Sequence, residues 1–218
     1  MHSLIKFFYN KNRELSIPEA NDRYGRIKKM FYKTDYNSPV GKITLGADGN
    51  NLVGLWIEGQ KYFGDTVKEE MYPKDDLAVF QKAKNWLDRY FRGEKPEISE
   101  LPLAPAGGEF RQAVWKILCE IPYGEVITYG KIAMKIARQR GLKKMSAQAV
   151  GGAVGHNPVS LIIPCHRVVG TNGSLTGYSG GLDKKIKLLE LEGVDMAKLY
   201  RPKKEPHCNL QEALFEKN

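Results

Sequence analysis

One stretch, Leu161-Ile162-Ile163-Pro164-Cys165-His166-Arg167-Val168-Val169-Gly170, limits what this chain can become more than any other. An apolar run carries the backbone inward, and Pro164 then fixes one φ angle and removes one amide donor. A thiol, an imidazole and a guanidinium follow at once. This is a costly way to place a cysteine that only fills space. A thiol is a strong nucleophile only as thiolate, and positive charge or a bonded histidine lowers its pKa. His166 and Arg167 are neighbours of the kind an activated Cys165 needs. Against this, free cysteine is among the most buried residue types and packs as a small hydrophobe. The Cys-His pair taken alone favours the packing role.

A chain of 218 residues suffices for one large domain or two small ones. Its net charge of +9 suits a polyanionic partner, although many basic proteins bind no nucleic acid. Cys119, Cys165 and Cys208 are odd in number and far apart, and there are only four histidines. No disulfide framework, zinc cluster or other metal site can be read from them, and a reducing compartment is expected. Met1 to Tyr9 is too short for a secretory leader, and no apolar run approaches a membrane span. The expectation is a soluble, cytoplasmic protein with no membrane attachment.

Residues 1–28 show no sustained periodicity and read as an extension of unassigned role. Phe31-Tyr32-Lys33-Thr34, Lys42-Ile43-Thr44-Leu45 and Leu52-Val53-Gly54-Leu55-Trp56-Ile57, separated by turn residues, predict three strands of a small antiparallel sheet. Val79, Phe80, Ala83, Trp86, Leu87, Tyr90 and Phe91 recur at helical spacing and predict a helix laid on that sheet, with no chemistry assigned to its aromatic stripe. Residues 29–100 form this first domain. The Pro-rich stretch ending in Gly107-Gly108 is read as a connector. A second domain covers 107–195, and 196–218 is a tail, including an isolated His207 and Cys208.

In the second domain an amphipathic helix from Phe110 to Ile121 stops at Pro122. Cys119 lies on it with nothing nearby to activate it. Thr128 and Ser146 are placed to cap two further helices, starting at Tyr129 and Ala147, around a basic turn at 138–144. The pair fits a helix-turn-helix with an unusually long turn, although an ordinary helical hairpin is the commoner case. Lys131, Lys135, Arg138, Arg140, Lys143 and Lys144 would suit phosphates, or simply a solvated face. Gly151-Gly152 inside the second helix each cost ~1 kcal/mol relative to alanine. That cost makes sense if another backbone comes close, from a partner or from this chain.

Asn157-Pro158-Val159 through Pro164-Cys165-His166-Arg167-Val168-Val169 resembles the active-site signature of the O6-alkylguanine-DNA alkyltransferases, and the similarity runs from about Phe31 to Gly193. The resemblance implies an α+β fold: a small antiparallel sheet with a helix, then a helical domain with a winged-helix-like helix-turn-helix and the reactive cysteine. It implies a monomer that flips O6-methylguanine, and O4-methylthymine, out of double-stranded DNA and moves the alkyl group irreversibly to Cys165, once and without cofactor. By the same resemblance His166 is a general base acting through a water and Glu192 orients it, where the bare sequence reads Glu192 as a surface residue. Tyr129 meets the guanine ring, Ser179 meets its O6 edge, and Tyr178, Val168 and Asn157 join them on the substrate side, Asn157 also tying the active-site loop together. Ala147, Gln148, Ala149, Gly151 and Gly152 would enter the minor groove, with Arg167 counted beside them although its task is to anchor the loop. Gln148 stands where the family has an arginine that fills the vacated space in the stack. A non-catalytic lesion binder or a DNA-binding regulator is the alternative. The presence of Cys165 and the lack of an amino-terminal cysteine cluster argue against both, and a cysteine hydrolase would need a histidine separate from its cysteine.

Overall fold

In this computed structural model, residues 19–21 and 27–202 are described. His207 and Cys208 lie outside them. Within the stretch read as a lead-in, β1 (Glu19–Asn21) pairs antiparallel with β2 (Ile27–Lys29). β3 (Phe31–Ser38), β4 (Gly41–Ala47) and β5 (Leu52–Ile57) follow as an antiparallel meander. The β3–β4 turn works because Gly41 takes φ 106°, open to a residue without Cβ, while Ser38 Oγ–H donates to its carbonyl at 2.6 Å. A fourth strand, β6 (Met71–Pro73), lies parallel to β3 at the sheet's edge, so the order is β5-β4-β3-β6. Pro73 belongs at an edge because it has no amide to donate.

α1 (Ala78–Phe91) buries Val79, Phe80, Ala83, Trp86, Leu87 and Tyr90, the stripe its spacing predicts. The connector after it is packed rather than loose. Leu101 and Leu103 are buried, and Leu52 exchanges backbone bonds with Pro102 and Ala104 at 2.8 and 2.9 Å. One apolar cluster then runs from Ile43 and Phe80 through Trp115 to Ile163, so both halves share a core.

The second half contains α2 (Glu109–Cys119), β7 (Ile127–Thr128), α3 (Tyr129–Gln139), α4 (Ala147–Gly155), β8 (Val168–Val169) and α5 (Leu182–Leu191). Thr128 Oγ1 accepts from Lys131 N–H and Ser146 Oγ from Ala149 N–H, the two caps their positions foretell. β7 and β8 form a short parallel pairing in this half. Trp115 on α2 fixes α4 by donating its indole N–H to Ala153 O at 2.8 Å. Among the described residues no helix is long and apolar enough to cross a membrane.

β5 is buried along its whole length because its outer edge is covered. Leu55 N–H donates to Pro158 O at 2.8 Å, and Ser160 N–H donates back to Leu55 O at 3.0 Å. The sheet thus holds the segment that leads to Cys165.

Candidate active site

The chain approaches Cys165 through two γ-turns. Ile162 N–H donates to Ser160 O at 2.9 Å across Leu161, whose φ is 72°. Cys165 N–H donates to Ile163 O at 2.7 Å across Pro164, whose φ of −80° and ψ of 66° are inverse γ-turn values that the proline ring favours. A leucine in the left-handed region costs ~1–3 kcal/mol. Burial of Leu161, Ile162 and Ile163, each stabilising by ~1.5–3 kcal/mol, more than offsets it. Asn157, expected on the substrate side, is committed to this loop: its Nδ2–H donates to Ile163 O at 2.7 Å and its Oδ1 accepts from Val159 N–H at 3.1 Å. Val168, expected there too, is a core residue on β8.

Glu192, at the end of α5, is 5% exposed, so the surface reading fails. Its Oε1 accepts from His166 Nε2–H at 2.7 Å, Tyr90 O–H at 2.6 Å and Arg167 Nη2–H at 3.0 Å. Its Oε2 accepts from Arg167 Nε–H at 2.8 Å and Gly124 N–H at 3.3 Å. Desolvation works against the anion, but the bonds from His166 and Arg167 and the charge of the guanidinium outweigh it and hold the carboxyl well below the usual range. Opposite an ionised carboxylate, Nε2 carries the imidazole proton, which leaves Nδ1 as the basic nitrogen. That Nδ1 is buried and has no partner.

Arg167 is not a DNA contact. It is 6% exposed, and its guanidinium is consumed by Glu192 and by Ile121 O at 2.7 Å. A buried arginine must be paired, and the carboxylate is its pair. Nor do His166 and Arg167 furnish the charge expected to ionise the thiol. Burial raises the Cys165 pKa, and the groups pulling it back are Asn157, Ser160 and the ammonium of Lys185. At rest the sulfur is therefore a thiol that needs a base. Burial also disfavours the charged form of His166, keeping it neutral and able to accept a proton. Cys119, partly buried with its thiol pushed up to about 12, is not activated.

Lys185 is fully buried, donates to Val168 O and to Thr176 O at 2.5 and 3.1 Å, and has its pKa lowered to about 8 by desolvation. Sequence reading missed it, yet its spacing from Leu182, Leu188 and Leu189 puts it on the apolar face of α5. Tyr90 was missed as well; a tyrosine within a buried aromatic stripe usually needs a partner for its hydroxyl.

The loop after Gly177 carries unmet donors. Tyr178 O–H and Ser179 O–H are buried without a hydrogen-bond partner. Tyr129 O–H is directed to Gly177 O and Thr176 O, at 3.0 and 3.2 Å, which ties α3 to the loop bearing Tyr178 and Ser179. Burial raises its pKa, so it stays a donor.

α4 turns Val150, Ala153 and Val154 inward and leaves Ala147, Gln148, Ala149 and Gly152 exposed. A Cβ on Gly152 would meet nothing within 4 Å, and one on Gly151 would only touch the Tyr129 ring at 3.9 Å. Among the described residues, none therefore requires those glycines. Of the basic residues nearby, Lys135 pairs with Glu120 at 3.2 Å and Arg140 lies over the Phe110 ring at 5.4 Å, while Lys131, Arg138, Lys143 and Lys144 are exposed. Among the described residues no group of His, Cys, Asp and Glu is arranged to hold a metal.

Residues 31–105 match the family model described as 6-O-methylguanine DNA methyltransferase, ribonuclease-like domain, and residues 109–194 match the one described as its DNA binding domain. The chain is 43% identical to the methylated-DNA–protein-cysteine methyltransferase of Haemophilus influenzae over 75% of its own length and 87% of that protein's. It is 41% identical to the protein of that name from Methanosarcina acetivorans, covering 99% of it. A crystal structure of Mycobacterium tuberculosis O6-methylguanine methyltransferase superposes with a TM-score of 0.63 at 42% identity, covering 75% of this chain and 93% of that one. A complex of the M. tuberculosis protein with DNA superposes equally well, at 39% identity over 78% of this chain and 94% of that one.

Proposed function

As the chain belongs to the 6-O-methylguanine DNA methyltransferase family, we propose that it repairs alkylated duplex DNA by moving the alkyl group from O6 of guanine to its own Cys165. The observation that carries this reading is the Nδ1 of His166: a free basic nitrogen, on the residue next to a buried cysteine, whose partner ring nitrogen is fixed by a carboxylate. The bare face of α4 enters the minor groove, where small residues fit, and the lesion is everted toward the sulfur. Gln148 stands where the family's arginine occupies the gap. It can hydrogen-bond the orphaned base but brings no charge.

The thiol proton passes through a water to His166 Nδ1, and Glu192 stabilises the imidazolium. Sulfur attacks the alkyl carbon as the carbon–O6 bond breaks. The charge left on guanine is met by Tyr129 O–H at the ring and Ser179 O–H at O6, and guanine ends with the proton the thiol gave up. The product is a thioether that hydrolysis does not readily undo, so each molecule acts once. No cofactor enters these steps. We place the reaction in the cytoplasm and assign it to a monomer.

Incubation with a duplex containing O6-methylguanine should add one methyl mass to the peptide bearing Cys165, and Cys165→Ala should abolish the adduct. Mass spectrometry that finds folded wild-type protein unmodified would defeat the proposal.

A further inference from the structure

The carboxylate that orients His166 is also held from the amino-terminal half of the molecule. Tyr90 lies 102 residues before Glu192, on α1, and is 1% exposed. Its ring is locked by a stacked Trp86 at 5.4 Å and edge-on contacts with Phe91 and Tyr123 at 5.3 and 5.9 Å. Its hydroxyl therefore has little freedom. It donates at 2.6 Å to Oε1, the oxygen that also receives His166 Nε2–H.

We infer that Tyr90 is a positioning residue for alkyl transfer: its hydroxyl fixes Oε1 against the imidazole and shares that oxygen's electron density, setting how strongly His166 takes a proton at Nδ1. The inference rests on the transfer chemistry proposed above. An oxygen that already accepts from a phenol is a poorer acceptor for the imidazolium. Removal of the phenol hydroxyl strengthens the Oε1–His166 bond and favours the charged imidazole, so the neutral base is lost at a higher pH. The charged and titratable groups around the pair are Arg167, Lys185, Tyr123 and Tyr178. None of them changes when Tyr90 does. Burial keeps the phenol protonated, so it remains a donor throughout the working range.

Tyr90→Phe keeps the ring and its packing, and Oε1 keeps its bonds from His166 and Arg167. With full-length protein and an O6-methylguanine duplex in single-turnover rapid quench, the variant should bind the duplex with unchanged affinity. At saturating duplex and low pH it should transfer methyl roughly 3- to 10-fold more slowly, the size of one hydrogen bond's net contribution. The acidic limb of its rate profile should lie at higher pH than that of wild type. Val79→Ala, which loosens the same helix away from Glu192, should leave the limb where it is. A limb unmoved in Tyr90→Phe, whether the rate is unchanged or equally depressed at every pH, overturns the inference. So does a limb moved as far by Val79→Ala. Wild-type protein that transfers no methyl would instead refute the proposed function.

Discussion

The Glu192 cluster and the Tyr178–Ser179 loop are built on opposite principles. On the Glu192 side one buried carboxylate collects donors from Tyr90, His166, Arg167 and Gly124. On the Tyr178–Ser179 side buried hydroxyls have no acceptor. Buried polar groups in folded proteins are nearly always bonded, and leaving one unmet costs ~1–3 kcal/mol. The saturated carboxylate is complete before any substrate arrives and belongs to the scaffold. The unmet side is complete only when something with acceptors enters.

Removing a charge from the saturated side should have the largest effect. Glu192→Gln leaves Arg167 buried without its counter-charge and should lower the unfolding free energy by ~3–5 kcal/mol in urea titration. A loss below ~1 kcal/mol would mean that the pair is no anchor. On the unmet side stability and function should part company. Ser179→Ala should leave the urea midpoint unchanged or slightly raised while slowing transfer roughly 10- to 100-fold. An equal loss of stability would show that the hydroxyl already has a partner.

α4 extends the contrast to the surface. Gly152→Ala should stabilise the fold by ~0.5–1 kcal/mol, since nothing lies within 4 Å of the new methyl, yet weaken duplex binding. Unimpaired binding would remove the minor-groove reading of this helix. A further effect is with pH. His166 is held below its ordinary pKa of about 6.5 by burial, so below that pH the unfolded chain binds a proton the folded one does not. Stability should therefore fall as pH drops through 6.5, by at most ~1.4 kcal/mol per unit from this group. His166→Asn should flatten that slope.

The sequence disclosed what is periodic or local. The strands, the apolar stripe of α1 and the caps at Thr128 and Ser146 follow from spacing and turn chemistry. It concealed whatever depends on partners distant in the chain. The resemblance makes Arg167 an anchor of the loop, but that it anchors on Glu192, 25 residues on, is visible only in the fold. Tyr90 looks like packing for the same reason. Lys185 hides among the solvated lysines of α5, and β6 is too short and too interrupted by Pro73 to signal a strand. The family signature supplied Glu192, but it could not say that burial would raise the thiol pKa and pass the task of deprotonation to the base.

Leu55 exchanges both of its main-chain bonds with the segment that delivers the nucleophile. The amino-terminal sheet is thus a mould for the reactive turn, and the shape of that turn is set by a strand about a hundred residues upstream. A duplex pressing on α4 meets a loop already braced from behind. Whatever gives way to admit a nucleobase must then be on the Tyr178–Ser179 side.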